Sequence, residues 1–136
     1  MFVTLLYILI ELKEKLITII NAGHLPPLVR SGSDGEVAIL DEVGGSPLGI
    51  IPDVSYQAQC RSFEPGDTIL AYTDGVMEAR NQEEEEFRLE RLSQVLRDGP
   101  PDSSGVVQGI QTALQSFMGN QKQHDDVTMV CVGVDP

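Results

Sequence analysis

The 136-residue chain has no tryptophan, only two cysteines and few basic side chains, and these shortages exclude several classes of protein. Nine Lys and Arg residues stand against 21 Asp and Glu residues, which gives a formal net charge of -12. Nucleic acids and anionic membrane surfaces are bound mainly through Lys and Arg, so we expect neither as a partner. A chain of this length builds one core, so a single domain is expected.

The two cysteines, Cys60 and Cys131, lie far apart in the sequence, each in a segment predicted to be a strand. We expect buried, reduced thiols of a cytoplasmic protein, and not a disulfide or a metal pair. The apolar opening, residues 1–10, is too short to span a bilayer, and it lacks the basic residues and cleavage site of a signal peptide. It is therefore predicted to be a strand.

Strand patterns dominate the first half of the chain. Residues 2–11 and 15–21 predict one hairpin, residues 28–30 and 37–40 predict a second, and residues 56–63 predict a half-buried strand. A helix through the first hairpin is the alternative, because its turn contains strong helix formers. The β-branched residues on both sides of that turn favour strands.

Helices are predicted only in the second half of the chain. Residues 87–96 place leucines on one face, and residues 105–118 follow Ser103 and Ser104, either of which can cap the helix. Residues 127–134 predict a last buried strand. No linker long enough to divide the chain separates these elements, so they are expected to share one domain.

The most informative stretch is residues 67–80, where a buried strand runs into an Asp-Gly step and a helix predicted to begin at Val76. Asp74 thus lies at the end of a strand and the start of a helix. A carboxylate at such a junction is held rigidly enough to bind a hard metal ion. Gly75 has no Cβ and would let the backbone pass close to whatever that carboxylate binds. The alternative is that Asp74 is an N-cap, which accepts a hydrogen bond from an early helix amide.

A second acidic site, Asp125 with Asp126, immediately precedes the last strand. Asp74 follows its strand and this pair precedes its own, so antiparallel pairing of the two strands would bring the carboxylates to one sheet edge. Carboxylates gathered in one place repel each other unless a cation neutralises them. Oxygen ligands suit Mg²⁺ or Mn²⁺ better than zinc, and such an ion activates water. Two unrelated surface carboxylates are the alternative.

Two loops contain further candidate features. Residues 21–27 include His24, whose residue type fits a ligand, a general acid or a hydrogen-bonding loop residue. Residues 44–49 are glycine-rich but lack the spacing and the lysine of a phosphate-binding P-loop. A close crossing of the backbone over the sheet is the better interpretation of that segment.

Five motifs resemble, in their order and spacing, those of the sporulation-stage-II-protein-E-like serine phosphatases. These enzymes are a bacterial branch of the metal-dependent protein phosphatase 2C superfamily. The motifs are NAGHLPP at 21–27, PLG at 47–49, EPGD at 64–67, YTDGV with EAR at 72–80, and DDVT at 125–128. The resemblance extends from Phe2 to Val134.

The resemblance implies an α+β fold, an α-β-β-α sandwich of two antiparallel sheets covered by helices. It implies a cytoplasmic enzyme that hydrolyses phosphoserine or phosphothreonine with water activated at a Mn²⁺ or Mg²⁺ centre. The implied substrates are phosphorylated anti-anti-sigma-type proteins of stress or sporulation switches.

Asp74 and Asp125 match the family's metal-ligand aspartates, so the resemblance implies that they hold the metal. Four other residues match positions expected to support the site: Gly75, Asp126, His24 and Asn21. Asp126 stands where relatives often have Asn. It is expected to support the metal ligands without binding the metal itself. The motif of Asn21 and His24 is assigned a structural role, with substrate contact as the alternative.

The family completes its two-metal centre with an upstream Gly-Asp strand motif and an Asp-x-x-Gly-His-Gly type loop, and residues 1–136 contain neither. We therefore expect a partial, N-terminally truncated phosphatase domain with weak metal affinity. Its exposed sheet edges are expected to be covered by a homo-oligomer or another chain. The alternative function is a catalytically incompetent relative that binds a regulator without hydrolysing it.

Overall fold

The computed structural model describes residues 1–41 and 44–135. Within these ranges the chain forms seven strands and three helices. The strands are β1 (Leu5–Glu11), β2 (Leu16–Ala22), β3 (Leu28–Arg30), β4 (Val37–Ile39), β5 (Ala58–Ser62), β6 (Thr68–Tyr72) and β7 (Met129–Gly133). The helices are α1 (Asp74–Met77), α2 (Arg88–Asp98) and α3 (Ser103–Met118).

The strands form two antiparallel sheets, which we call sheet A, in the order β1-β2-β5, and sheet B, in the order β4-β3-β6-β7. The first hairpin pairs Leu5 with Ala22 and Glu11 with Leu16, so the strand prediction is confirmed and the helical alternative is wrong. The second predicted hairpin is also present, as β3 paired with β4. β6 lies between β3 and β7 in the middle of sheet B.

The two sheets pack face to face over a core of branched aliphatic side chains. Ile17 and Ile19 of sheet A meet Val29 and Ile69 of sheet B, and all four are buried. Successive residues of a strand point to opposite faces, so Leu70, next to Ile69, points away from sheet A. The same strand therefore supplies side chains to two cores.

The second core lies between sheet B and the helices. Leu70 and Tyr72 of β6 pack with Leu96 of α2 and Ile110 of α3. Leu70, Leu96 and Ile110 are fully buried, and each such burial contributes about 1.5–3 kcal/mol. The predicted α+β architecture, two antiparallel sheets with helices, is confirmed. In the described ranges the helices cover sheet B, and none is long and apolar enough to cross a membrane.

The start of β6 is fixed by the buried carboxylate of Asp67. Its two oxygens accept hydrogen bonds from the backbone N–H groups of Gly32, at 2.9 Å, and Glu64, at 3.0 Å. Hydrogen bonds to a charged acceptor are about twice as strong as neutral ones. Asp67 thus fastens the turn before β6 to the β3–β4 loop and sets where the central strand enters sheet B.

Helix α3 begins earlier than the sequence predicts. The cap is Asp102, whose carboxylate accepts the backbone N–H of Gly105 at 2.7 Å, and Ser103 is already helical. The predicted serine cap is therefore wrong. Asp102 has an extended backbone, which brings its short side chain back over the first turn.

Both cysteines are free thiols in strands, and the prediction that they are buried is wrong. Cys60 is exposed, and Cys131 is half-buried. Burial, with a smaller contribution from the charge of Asp102, raises the pKa of the Cys131 thiol to about 11. Residues of β5 alternate between half-buried and exposed positions, and Cys60 occupies one of the exposed positions.

Candidate metal centre

Helix α1 begins immediately after β6, with Asp74 as its first residue. The helix was predicted to begin at Val76, so that prediction is wrong by two residues. The N-cap position belongs to Thr73, whose side chain makes no capping bond, and the N-cap alternative for Asp74 is therefore also wrong. The Asp74 carboxylate is exposed at the edge of sheet B and is available to a ligand.

Two threonines extend the pairing of β6 and β7 beyond the strand ends. The Thr73 N–H donates to the Thr128 carbonyl at 3.1 Å, and the Thr128 N–H donates to the Thr73 hydroxyl at 3.1 Å. The same hydroxyl lies 3.3 Å from the carbonyl oxygen of Asp126. The antiparallel pairing expected from the sequence is confirmed, and it holds residues 125–128 against the start of α1.

Gly75 permits a close contact between α1 and the segment that precedes β7. A Cβ added at Gly75 would overlap the carbonyl oxygen of Asp126, so a larger residue would push the two segments apart. Gly75 thus lies close to the main chain of Asp126. The expectation that Gly75 also lets the backbone pass close to a bound ligand stays a prediction. The spacing between Asp74 and Asp125 therefore depends on this glycine.

Three carboxylates meet at this edge of sheet B. Ligand oxygens of Asp74, Glu78 and Asp125 all lie within 4.8 Å of one another, and the three residues are exposed. The sequence predicted the meeting of Asp74 and Asp125 but missed Glu78 as part of the cluster. Glu78 stands four residues after Asp74, and this i, i+4 spacing is the signal that would have found it. We call the three residues the carboxylate cluster.

Asp126 contributes through its backbone. Its N–H donates to Oδ1 of Asp125 at 2.7 Å and so orients one of the cluster oxygens. Gln123 Nε2 donates to the Asp125 carbonyl at 2.6 Å, which further fixes the same residue. The Asp126 carboxylate is not part of the cluster.

Asn21 clamps the backbone of the loop that follows β2. Its side-chain oxygen accepts the His24 N–H at 2.8 Å, and its side-chain nitrogen donates to the His24 carbonyl at 2.9 Å. Asn21 is 8% exposed, so these bonds satisfy a buried amide on both sides. This geometry is what a structural role for Asn21 requires.

The carboxylate cluster lies between two cavities. One, the Lys122 cavity, has a volume of about 350 Å³ and includes Glu78, Asp125, Arg80, Lys122 and His124 in its lining. The other, the His24 cavity, has a volume of about 370 Å³. Its lining residues are Thr4, Gly23, His24, Leu25, Thr73, Asp74 and Glu78. A group bound at the cluster would therefore have room on either side.

The fold is similar to that of solved PP2C phosphatase domains. The chain superposes on the PP2C phosphatase domain, solved with a fragment of the regulatory domain, of the cell fate determinant SpoIIE from Bacillus subtilis. The TM-score is 0.81 at 18% identity, and 96% of this chain and 37% of that chain are covered. The Mn-presoaked SpoIIE phosphatase domain gives 0.73 at 17% identity, with 97% and 56% covered.

The sequence gives the family. Residues 1–135 match the family described as Stage II sporulation protein E (SpoIIE), and the chain belongs to that family. It is 32% identical over 133 residues to the phosphoserine phosphatase RsbU of Bacillus subtilis (strain 168), covering 96% of this chain and 38% of RsbU. The chain spans between 20% and 38% of the length of the curated relatives it matches. The resemblance found in the motifs is confirmed.

Proposed function

We propose that the chain is part of a metal-dependent protein phosphatase that hydrolyses phosphoserine or phosphothreonine on a regulatory protein. The observation that carries this proposal is the carboxylate cluster, which the pairing of β6 and β7 assembles within 4.8 Å. Membership of the SpoIIE family and the similarity to a phosphoserine phosphatase support the same reaction.

The donor set fits a hard divalent cation. Three carboxylates supply oxygen ligands and negative charge, which favour Mn²⁺ or Mg²⁺. We assign Asp74 and Asp125 as ligands, as the sequence predicts, and add Glu78. A bound ion would lower the pKa of water and offset the charge of the phosphoryl group. The protein's part is to hold these carboxylates in place through Thr73, Thr128 and Gly75.

The centre is proposed to be incomplete in this chain. Three exposed carboxylates leave most positions around two ions to water, so metal affinity should be weak. The chain covers only 56% of the Mn-presoaked SpoIIE phosphatase domain. We therefore propose that residues 1–136 are a partial phosphatase domain, and that further ligands come from strands outside them.

The proposed partner is a phosphorylated protein of the anti-anti-sigma type, and the proposed compartment is the cytoplasm. The net charge of -12 supports the absence of nucleic acid and anionic membrane from the set of partners. We also propose a homo-oligomer. The outward side chains Leu5, Tyr7 and Leu9 of the edge strand β1 are 49%, 48% and 41% exposed, which is a face suited to a second copy.

The first test replaces Asp74 by Asn. Mn²⁺ affinity, measured by calorimetry, should fall at least about tenfold, the lower end of what disturbing a metal ligand's partners costs. The melting temperature in metal-free buffer should change little, because the Asp74 carboxylate is exposed and does not cap α1. Asp126→Asn is the matched control, with nearly unchanged Mn²⁺ affinity. Equal affinity of Asp74→Asn and the unchanged chain would refute the assignment.

The reaction itself is tested by Mn²⁺-dependent hydrolysis of a phosphoserine protein. Turnover that Asp74→Ala abolishes would support a working enzyme, with the missing ligands replaced in the assembly. Metal binding without any turnover would instead support the alternative, a binding module that keeps the fold.

A further inference from the structure

The imidazole of His24 shares a cavity with two members of the carboxylate cluster. His24, Asp74 and Glu78 all line the His24 cavity of about 370 Å³. The loop that carries His24 joins β2 of sheet A to β3 of sheet B, whereas Asp74 and Glu78 lie in and just after α1, beyond the end of β6. A ligand held at the carboxylates would therefore meet a side chain from the loop between the two sheets.

The backbone of His24 is fixed by Asn21 and by the preceding glycine. Asn21 binds its N–H and its carbonyl group, at 2.8 and 2.9 Å. The preceding Gly23 has a φ of +71°, in the left-handed region, and a Cβ there would collide with Pro47. The turn that presents the imidazole is thus built from a clamp and a glycine that cannot be enlarged.

The hydrogen bond of the ring determines its tautomer. His24 Nδ1 lies 2.8 Å from the carbonyl oxygen of Leu25, and a carbonyl can only accept, so Nδ1 carries a hydrogen. In the described part of the chain, Nε2 makes no hydrogen bond to another residue. Nε2 is therefore the ring nitrogen that is left for a group that binds beside His24.

His24 stands apart from the carboxylate cluster. Its nitrogens are not among the ligand atoms that lie within 4.8 Å of one another. A side chain that lines the same cavity without joining the cluster is placed to contact what the cluster binds. A phosphoryl group needs such a contact, because carboxylates repel it and their cation faces only one side of it.

We propose that His24 is a substrate-contacting residue whose Nε2 forms a hydrogen bond with an oxygen of the substrate's phosphoryl group. Asn21 is then the positioning residue that aims it. The proposal rests on the proposed function, because it requires a phosphoryl group at the carboxylate cluster. For His24 it favours substrate contact, the alternative to the structural role that the sequence motif predicts.

The test uses inorganic phosphate and the full chain with Mg²⁺, which is diamagnetic. The chain has two histidines, His24 and His124, so the ring nitrogens are readily assigned by ¹⁵N NMR. We expect the Nδ1–H tautomer for His24 before phosphate is added. Phosphate should then shift Nε2 of His24 and leave His124 unmoved.

Variants of His24 distinguish a contact with the phosphoryl group from a structural role. His24→Ala should weaken phosphate binding about tenfold or more, as expected for a lost hydrogen bond to a charged group. His24→Gln, whose amide nitrogen reaches the place of Nε2, should retain part of the affinity. His24→Asn, which mimics only Nδ1, should not. Gln111→Ala, on the exposed surface of α3 and outside the linings of both cavities, is the control and should change the affinity less than about twofold.

Each outcome of these experiments supports or refutes the His24 contact. If Mg²⁺ and phosphate bind but His24→Ala has no effect, or His124 shifts instead, the contact is refuted and the proposed function stands. If neither Mg²⁺ nor phosphate binds, the proposed function and the contact both fail. A large fall in affinity with Asn21→Ala, alongside an unchanged melting temperature, would support the positioning role.

Discussion

The central strand β6 of sheet B and the edge strand β1 of sheet A are both largely apolar in sequence but very different in burial. β6 of sheet B reads TILAY, and four of its five residues are buried. β1 of sheet A reads LLYILIE, and none of its seven residues is. Sheet B has sheet A on one face and helices on the other, whereas sheet A is covered on one face only in the described ranges. Burial is therefore decided by what packs against a strand.

The same difference separates the two sides of the proposed site. The carboxylate cluster is mounted on β6, β7 and α1, which have a packed core behind them. His24 is carried by a loop between the sheets and depends on the Asn21 clamp for its position. The metal side of the site is thus rigid by packing, and the His24 side is rigid by hydrogen bonding.

The largest expected effect is on stability. Leu70→Ala, in the core between sheet B and the helices, should lower the free energy of unfolding by about 2–5 kcal/mol, because it leaves a cavity at a fully buried position. Leu9→Ala, the same change on the open face of sheet A, should cost less than about 1 kcal/mol. Urea denaturation of both variants measures this difference. Equal losses would mean that the face of Leu9 is covered in solution.

A second contrast concerns the two cysteines. Burial raises the pKa of the Cys131 thiol to about 11, so at pH 8 only about one part in a thousand is thiolate, which is the reactive form. Cys60, on the open side of sheet A, is exposed. Iodoacetamide should therefore modify Cys60 first, and Cys131 should react on the order of 100-fold more slowly.

Mass spectrometry of the alkylated peptides measures both rates. The rate at Cys131 should rise about tenfold per pH unit as pH approaches 11, because the thiolate fraction does. In urea, where neither cysteine is protected, the two rates should converge. A Cys131 that reacts as fast as Cys60 in the folded protein would contradict the burial seen for sheet B.

The smallest expected effect is on self-association. If a second copy covers the open face of sheet A, Leu9→Lys should weaken the dimer about tenfold or more, because a charge would be buried at the contact. Leu12→Lys is the control, since Leu12 is exposed in the turn after β1 and lies outside that face. Analytical ultracentrifugation measures both. A stable monomer at high concentration would rule out the homo-oligomer.

Several features of the fold could be predicted because they are local. The hairpins result from alternating or β-branched runs around turns, and the β6–α1 junction results from an apolar run that ends at Asp74-Gly75. Features that depend on contacts distant in sequence were missed. Glu78 joins the cluster only because α1 begins at Asp74, and α1 begins there because Thr73 is held extended by Thr128, 55 residues away.

The sequence by itself determined the family, the order of the strands and helices, and the two acidic segments that flank β6 and β7. These are properties of short segments, where side-chain pattern and turn residues act over a few positions. Only the tertiary structure decided which carboxylates meet, which face of sheet A stays open and which cavity His24 shares with the carboxylates. The physical reason is that each of these depends on an approach between two segments, such as that of Gly75 to Asp126, whose geometry neither segment contains alone.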